Sequence, residues 1–168
     1  MGRGSVPGRI AGVALLFVLA ACGPRPAEAP VAQVVSAGVY GVAGGASAPA
    51  GAPVRAAAAV LQADTVAVEA RPGVNFGFEY TVTGLPADRP TTLELVVRHP
   101  PMRFDDGTTR SESRGTVSAA APGGSYRDVF LYRFDRPGDL VPGDWTLQVS
   151  REGQVLAERV FRVRLPDT

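Results

Sequence analysis

The sequence predicts an all-β protein folded as an antiparallel β-sandwich, and three observations support this prediction. Apolar and polar residues alternate along several short segments, which is the period of a half-buried strand. Gly and Pro, with 20 and 15 of the 168 residues, separate these segments, so that turn signals recur roughly every 8–15 residues. After the N-terminal apolar segment, no stretch has the spacing of an amphipathic helix.

The chain begins with a segment that predicts export. Arg3 and Arg9 give a positive start, and a run of apolar and small residues follows from Ile10 to Ala21. As a helix, that run would be ~18 Å long, short of the ~30 Å hydrocarbon core of a bilayer. It is therefore typical of a signal peptide rather than of a permanent membrane span.

The signal segment ends in Leu19-Ala20-Ala21-Cys22, which resembles the lipobox of bacterial lipoproteins. The resemblance implies cleavage between Ala21 and Cys22 and attachment of diacylglycerol to the Cys22 thiol. Gly23 stands where Asp favours retention in the inner membrane, which implies an outer-membrane lipoprotein that faces the periplasm. An ordinary signal peptide with an incidental Cys, or an uncleaved anchor, is the alternative.

Composition divides the rest of the chain into a tether and a body. Residues 22–33 comprise the lipidated Cys22 and a stretch rich in Pro and Ala, which predicts a semi-extended tether that reaches ~30 Å from the membrane. Residues 34–166 carry the strand patterns and form the predicted β-sandwich domain. Within this domain, residues 43–59 are dominated by Ala, Gly and Pro and predict a long low-complexity loop.

The first half of the body predicts three strands. The strand over 34–42 places three large side chains in one register: Val34, Tyr40 and Val42. A second strand covers 60–69. The third, over 74–82, is the most regular, with one side formed by Val74, Phe76, Phe78, Tyr80 and Val82.

Two strands joined by a hairpin and a third strand follow. Residues 91–98 point Leu93, Leu95 and Val97 inward, and Pro100-Pro101 ends the predicted strand. Asp105-Asp106-Gly107 is typical of a hairpin tip, after which a polar strand is predicted over 111–119. The strand over 125–134 has large apolar residues on both sides, which predicts that both of its faces are covered.

The C-terminal part predicts two more strands around the tight turn Glu152-Gly153. Trp145, Leu147 and Val149 alternate with polar residues before the turn. After it, Phe161, Val163 and Leu165 alternate with Arg162 and Arg164. Leu156 and Val160 are out of that register, which predicts a bulge near Glu158. Seven to eight strands in this pattern favour an immunoglobulin-like antiparallel β-sandwich, with a closed barrel as the alternative.

Four stretches resemble a family of bacterial domains of unknown function numbered 3859. They are Phe76-Gly77-Phe78-Glu79-Tyr80 with Gly84-Leu85-Pro86, then Val97-Arg98-His99-Pro100, then Leu140-Val141-Pro142-Gly143-Asp144-Trp145, and Leu156-Ala157-Glu158 with Phe161 and Val163. The resemblance covers about 35–163. It implies a domain type and transfers no activity, substrate or catalytic residue. The loop at 43–59 and the lipobox depart from the pattern.

Composition excludes several functional classes. With one Cys and one His, the chain can build neither a disulfide framework nor a His/Cys metal cage. Its 17 basic residues, all Arg, stand against 16 acidic ones, so no basic field attracts nucleic acid. We therefore expect no nucleic-acid partner, no metal and no cofactor.

Four arginines and the only histidine form the candidate interaction face: Arg98, His99, Arg103, Arg110 and Arg114. Guanidinium groups match carboxylates and phosphates, although neighbouring acidic residues would neutralise the field. The sequence favours a solvated, salt-bridged face, with His99 as a strand-end side chain held by a structural hydrogen bond. A catalytic triad is disfavoured because no nucleophile elbow accompanies the histidine.

Two further features have a structural and a functional interpretation. Asp105-Asp106-Gly107 predicts a turn, with a weak calcium site as the alternative. Phe76, Tyr80 and Trp145 could stack on sugars if exposed, but their alternation with polar residues favours the core.

Together, these features predict a non-enzymatic structural or protein-interaction module, lipid-anchored in the cell envelope. The alternative is a module that binds an envelope glycan or another anionic envelope component. The expected partners are the membrane, through the anchor, and an envelope protein or glycan.

Overall fold

The computed structural model describes residues 1–2, 29–42, 54–55, 59–104 and 106–167, with the backbone alone for 54–55. The predicted signal peptide beyond residue 2, Cys22 and the tether up to residue 28 lie outside the described residues. So do Asp105 and most of the predicted loop at 43–59.

The described residues form two five-stranded sheets that pack face to face, which confirms the predicted all-β sandwich. The strands are β1 (Val31–Val42), β2 (Val54–Arg55), β3 (Ala59–Asp64), β4 (Ala67–Glu69), β5 (Asn75–Thr83), β6 (Thr91–Arg103), β7 (Thr109–Ala119), β8 (Ser125–Arg133), β9 (Gly143–Arg151) and β10 (Gln154–Arg164). The first sheet has the order β2-β8-β5-β1-β3, and the second has the order β4-β10-β9-β6-β7. A single 3₁₀ turn, Pro137–Asp139, connects β8 to β9 within the described chain.

The strand predicted over 60–69 is two strands in different sheets. β3 pairs with β1 in the first sheet, and β4 pairs with β10 in the second. The chain changes sheet at Thr65 and Val66, where the Thr65 hydroxyl oxygen accepts a hydrogen bond from the Ala67 amide at 3.0 Å. The β4–β10 pair is parallel, so the sandwich is not wholly antiparallel as predicted.

The first strand differs from its prediction in its start and in its register. β1 begins at Val31, and Val31, Ala32 and Gln33 pair with β5. A bulge between Val34 and Ser36 then exchanges the two sides of the strand. Val34 therefore packs in the interior, whereas Tyr40 packs on the outer face of the sheet, so the predicted common register of Val34 and Tyr40 is wrong.

The predicted inner side of β5 is confirmed, because four of its side chains are 0% exposed: Phe76, Phe78, Tyr80 and Val82. Its other side is not uniformly solvated, since Asn75 and Gly77 are buried as well. A Cβ atom on Gly77 would overlap the carbonyl oxygen of Phe130, so β5 and β8 approach at a distance that only glycine allows.

β6 continues past the two prolines that were predicted to end it. Arg98 pairs with Glu112, and the next paired residue is Met102, opposite Arg110. The two strands therefore differ by two residues at this point, and Pro100 and Pro101, which have no N–H to donate, fall in the irregular step.

The later strands follow the predictions with smaller shifts. β8 is covered on both faces as predicted: Phe130 and Tyr132 lie in the interior, and Leu131 is buried on the outer face. β10 has its bulge at Leu156, between Val155 and Ala157, rather than near Glu158. Leu165, which was predicted to continue the alternation of Phe161 and Val163, lies beyond β10 and is 54% exposed.

Aromatic side chains fill one end of the interior, where β5 begins and β8 ends. The Phe76 ring lies 5.1–5.9 Å from four other rings, those of Tyr132, Phe134, Trp145 and Phe161. The rings at this end therefore contact one another in tilted and edge-to-face geometries. No helix among the described residues is long and apolar enough to cross a membrane.

Candidate functional site

The structure divides the five residues of the candidate interaction face among three places. Arg98 and Arg114 lie on the outer face of the second sheet, and His99 is in the interior. Arg103 and Arg110 belong to the end of the β6–β7 hairpin, where they occupy opposite strands. Arg98 and His99 face opposite sides of β6 because they are consecutive strand residues, and Arg103 lies beyond the irregular step in β6.

The outer-face arginines are joined through one carboxylate. Glu112 accepts from Arg114 Nε at 2.6 Å and lies 3.4 Å from Arg98 Nε, while Arg98 also donates to Gln148 Oε1 at 2.7 Å. This network crosses β7, β6 and β9 above the buried Val96. The face is thus salt-bridged, as the sequence favours, and exposed ion pairs of this kind contribute little to stability.

His99 lies in the core against Trp145. Its side chain is buried, its ring centroid is 5.0 Å from that of Trp145, and Nδ1 donates to the Pro100 carbonyl oxygen at 2.8 Å. Nε2 is buried and has no hydrogen-bond partner. Burial lowers the pKa of His99 below its ordinary value, although the Pro100 carbonyl and the negative charges of Asp139 and Glu112 oppose that shift.

The hairpin end is organised around Phe104. The guanidinium groups of Arg110 and Arg136 lie 4.7 and 5.0 Å from the centre of its ring. Arg110 is paired with Asp106 at 2.6 Å, and Arg136 with Asp139 at 2.9 Å.

The remaining predicted arginine of this region lies at the same end of the sandwich. Arg103 is exposed and forms no ion pair with any residue that the structure describes. It is therefore the cation of the predicted face that is most available to a partner.

Asp139 is a buried polar residue that the sequence analysis missed. It is 0% exposed, and its carboxylate accepts from the amides of Asp135 and Arg136 at 3.2 and 3.1 Å and from the Arg136 guanidinium at 2.9 Å. It fixes the 3₁₀ turn between β8 and β9. The available signal was an Asp three residues after Arg136 and two after Pro137, whose carboxylate accepts from the Arg136 amide as the second half of a capping box does.

Tyr132 is another buried aromatic residue, and it lies beside Trp145. Its ring is 4.8 Å from Trp145, and its hydroxyl is buried without a hydrogen-bond partner. Burial raises the pKa of Tyr132 strongly, and the negative charge of Asp139 adds to that shift. The hydroxyl therefore stays protonated across the physiological range.

Asp106 and Gly107 lie at the predicted hairpin tip, and Asp105 of the predicted turn lies outside the described residues. The Gly107 amide donates to the Phe104 carbonyl at 2.9 Å, and Gly107 has φ +78°. Asp106 accepts from both the amide and the hydroxyl of Thr108, and these hydrogen bonds lower its pKa. Within the described part of the chain, no group of three or more His, Cys, Asp or Glu side chains is placed to hold a metal ion.

The aromatic residues that could have formed a sugar-stacking platform are in the core. Phe76, Tyr80 and Trp145 are each 0% exposed, and the Trp145 indole donates to the Val141 carbonyl at 3.0 Å. A glycan site on these rings is therefore excluded by their burial.

Comparison with known proteins gives a family and a related structure. The immunoglobulin-like protein from Pseudomonas aeruginosa whose crystal structure was determined at 1.50 Å is 25% identical in sequence. It superposes with a TM-score of 0.63 over 83% of this chain and 100% of that one. The sandwich is therefore immunoglobulin-like, as the sequence predicts. A comparison with curated proteins finds no match. The model of the domain of unknown function DUF3859 matches residues 28–163, and the chain belongs to this family.

Proposed function

We propose that the protein is a lipid-anchored, non-enzymatic module of the cell envelope that presents one end of its sandwich to another envelope protein. The lipobox Leu19–Cys22 supports the anchor, and Gly23 favours the outer membrane and the periplasmic side. A diacylated thiol with a further acyl chain would hold the protein stably, because single chains bind bilayers only marginally.

The position of β1 is the observation that carries the proposal. Val31, the first residue of β1, pairs with Thr83 at the end of β5. Phe76, near the start of β5, packs against Trp145, which in turn contacts His99 close to the β6–β7 hairpin. A tether that joins the body at Val31 therefore enters at one end of the sandwich and leaves the hairpin at the other.

The end of the sandwich that carries the β6–β7 hairpin, which is the free end, has the chemistry of a protein-binding surface. Arg103 is exposed, and Arg110 stacks on Phe104 at the hairpin. Arginine and aromatic residues are enriched in interfaces, and guanidinium groups pair with carboxylates in two-pronged geometry. We infer a partner that carries acidic side chains.

The alternative function, binding of an envelope glycan or another anionic component, would use Arg98 and Arg114 on the outer face of the second sheet. Glu112 lies between these arginines and neutralises part of their charge. Asp106 likewise pairs with Arg110 at the hairpin end, but Arg103 there is exposed and has no ion pair with a described residue, so this end supports protein interaction better than the outer face supports anion binding.

Two experiments test the proposal in cells. Labelled palmitate is expected to be incorporated into the unchanged chain and not into Cys22→Ser; equal labelling would remove the anchor from the proposal.

A photoreactive amino acid at Arg103 is expected to give a discrete cross-linked product with an envelope protein. The matched control at Glu152, in the turn at the opposite end, is expected to give none. Identical products from both positions would contradict a binding end, and cross-linking to glycan from position 98 alone would favour the alternative.

A further inference from the structure

The four edge strands of the two sheets differ in how they limit pairing with another chain. β2 and β4 contain two and three residues. β7 is long but carries Arg110, Glu112 and Arg114. Short length and charge are the usual ways in which edge strands avoid intermolecular pairing. β3 has six residues and no charge before Asp64, so it lacks both.

Exposed apolar side chains are concentrated on the side of the sandwich that contains β3. β3 and β4 are consecutive in the chain and form edges of the two sheets on this side, with β1 and β10 next to them. Apart from Met1, the large apolar side chains that are exposed among the described residues are Val31, Val35, Val60, Leu61, Val66, Val155, Val160 and Leu165. All lie on β1, β3 or β10 or directly beside them. β7, the opposite edge of the second sheet, has no exposed large apolar side chain, since its Val117 is 3% exposed.

We propose that β3 is a self-association edge, on which a second copy of this chain pairs its own β3 in antiparallel orientation. In a strand, alternate residues direct their N–H and C=O groups to opposite sides, so half of these groups in β3 point away from β1. A two-fold pair satisfies them and joins the two first sheets into one continuous sheet.

The charge pattern of β3 favours a second copy as the occupant. Gln62 is the extra residue of a bulge opposite Val39 and Tyr40, so the regular segment is Ala59–Leu61. Two-fold pairing centred on Val60 brings Val60 opposite Val60 and Ala59 opposite Leu61. Asp64 of each copy stays outside the paired segment, so no like charges oppose each other.

The length of the regular segment sets the strength of the association. The three paired residues, of which Val60 and Leu61 are exposed and Ala59 is half-buried, form a small interface, for which a dissociation constant of ~10–1,000 µM is expected. This self-association does not depend on the lipid anchor, and it uses a different surface from the hairpin end.

Disulfide trapping tests the geometry of the pair. The full chain with Cys22→Ser has no other Cys, and Val60→Cys is added to it in mild detergent. Directly opposed residues have Cα atoms ~4.5–5.5 Å apart, within the range of a disulfide. Oxidation is expected to give a linked dimer. Val155→Cys is the matched control, since Val155 is 50% exposed on β10 against 67% for Val60. Equal linking of both variants, or linking of neither, overturns the proposal.

Analytical sedimentation of the Cys22→Ser chain, without the Val60→Cys substitution, tests whether the chain self-associates. A monomer–dimer equilibrium is expected, with a dissociation constant that rises about tenfold or more with Val60→Lys, because symmetry brings two lysines together. Val155→Lys is expected to leave it unchanged. Val60 is largely exposed, so lysine fits without disturbing the fold, and circular dichroism checks this. A monomer at every concentration up to ~1 mM, or association that Val60→Lys leaves unchanged, overturns the proposal.

Discussion

At the scale of single residues, Trp145 links the two sheets at the aromatic end of the core. It is 0% exposed, contacts Phe76 and Tyr132 of the first sheet, and donates a hydrogen bond to Val141. Trp145→Ala is expected to lower the free energy of unfolding by ~3–5 kcal/mol, a large part of a typical ~5–15 kcal/mol. Trp145→Phe keeps a ring but loses the indole donor and is expected to cost ~1–3 kcal/mol. Urea denaturation followed by circular dichroism measures both. A change below ~0.5 kcal/mol for Trp145→Ala would contradict its burial.

His99 is expected to make the stability depend on pH. Its ordinary pKa is 6.5, and burial lowers the pKa in the folded state. The unfolded chain therefore binds the proton more readily, and the folded state loses stability as pH falls below about 6.5, until the lowered pKa is passed. The melting temperature should fall between about pH 7.5 and about pH 5.5 in the unchanged protein.

The variant His99→Gln isolates this effect, because glutamine does not titrate. Its melting temperature should stay level over the same range. The carboxyl groups with lowered pKa, Glu79 and Asp106, have ordinary values of 4.5 and 3.8 and titrate below this window. Parallel pH profiles for the two proteins would show that His99 is not the titrating group.

The site residues show which parts of a site a single sequence predicts. The salt-bridged nature of the Arg98 and Arg114 face followed from the acidic residues between them. The burial of His99 was not predicted, although His99 continues the inward alternation of Leu93, Leu95 and Val97, because Pro100-Pro101 predicted that the strand ends there. Asp139 was missed because its partners are mostly backbone amides, which leave little trace in side-chain chemistry.

At the scale of elements, the turn between β9 and β10 contains one residue, Glu152, whose backbone conformation is unfavourable for its side chain and can be relieved by substitution. Glu152 has φ +50° and Gly153 has φ +81°, the geometry of a type I′ turn, in which asparagine is preferred at the first position. Glu152→Asn is expected to raise the free energy of unfolding by ~0.5–1 kcal/mol. The ion pair between Glu152 and Arg151 has a separation of 3.4 Å, and the Glu152 side chain is 80% exposed. Such a pair contributes too little stability to offset this gain.

Two variants control this prediction in chemical denaturation. Glu152→Gln removes the charge but keeps a side chain that disfavours the conformation, so its stability should be unchanged. Gly153→Ala should lose ~1 kcal/mol, since nothing contacts the added Cβ and the cost comes from the backbone alone. A gain for Glu152→Gln equal to that for Glu152→Asn would assign the effect to charge instead.

The strands themselves were largely predictable, and their irregularities were not. β5 and β9 alternate cleanly because each has a face in the core. The bulge in β1 has no signal, since Val34 and Val35 are alike, and no Gly or Pro marks the exchange of sheets at Thr65 within 60–69. These features follow from how strands must bend to close a sandwich, which is a property of the whole fold.

At the scale of the whole molecule, the folded body begins three residues earlier than the composition of the tether predicts. The Pro/Ala-rich composition predicts a tether up to residue 33, but Val31, Ala32 and Gln33 pair with β5, and Ala32 packs against the core. The Thr83 hydroxyl also donates to the Val31 carbonyl at 3.4 Å. These residues belong to the sandwich because β5 would otherwise leave its amides and carbonyls unpaired at this end.

Two truncated chains measure where the body starts. A chain that begins at Ala29 is expected to unfold with the same free energy as one that carries the whole tether. A chain that begins at Val34 loses three ladder positions and is expected to be less stable by ~1–3 kcal/mol, because each backbone hydrogen bond contributes ~0.5–1.5 kcal/mol. Urea unfolding of the three proteins, followed by circular dichroism, gives the comparison. If the chains starting at 29 and at 34 are equally stable, the first three residues of β1 belong to the tether, and the body then stands three residues further from its anchor.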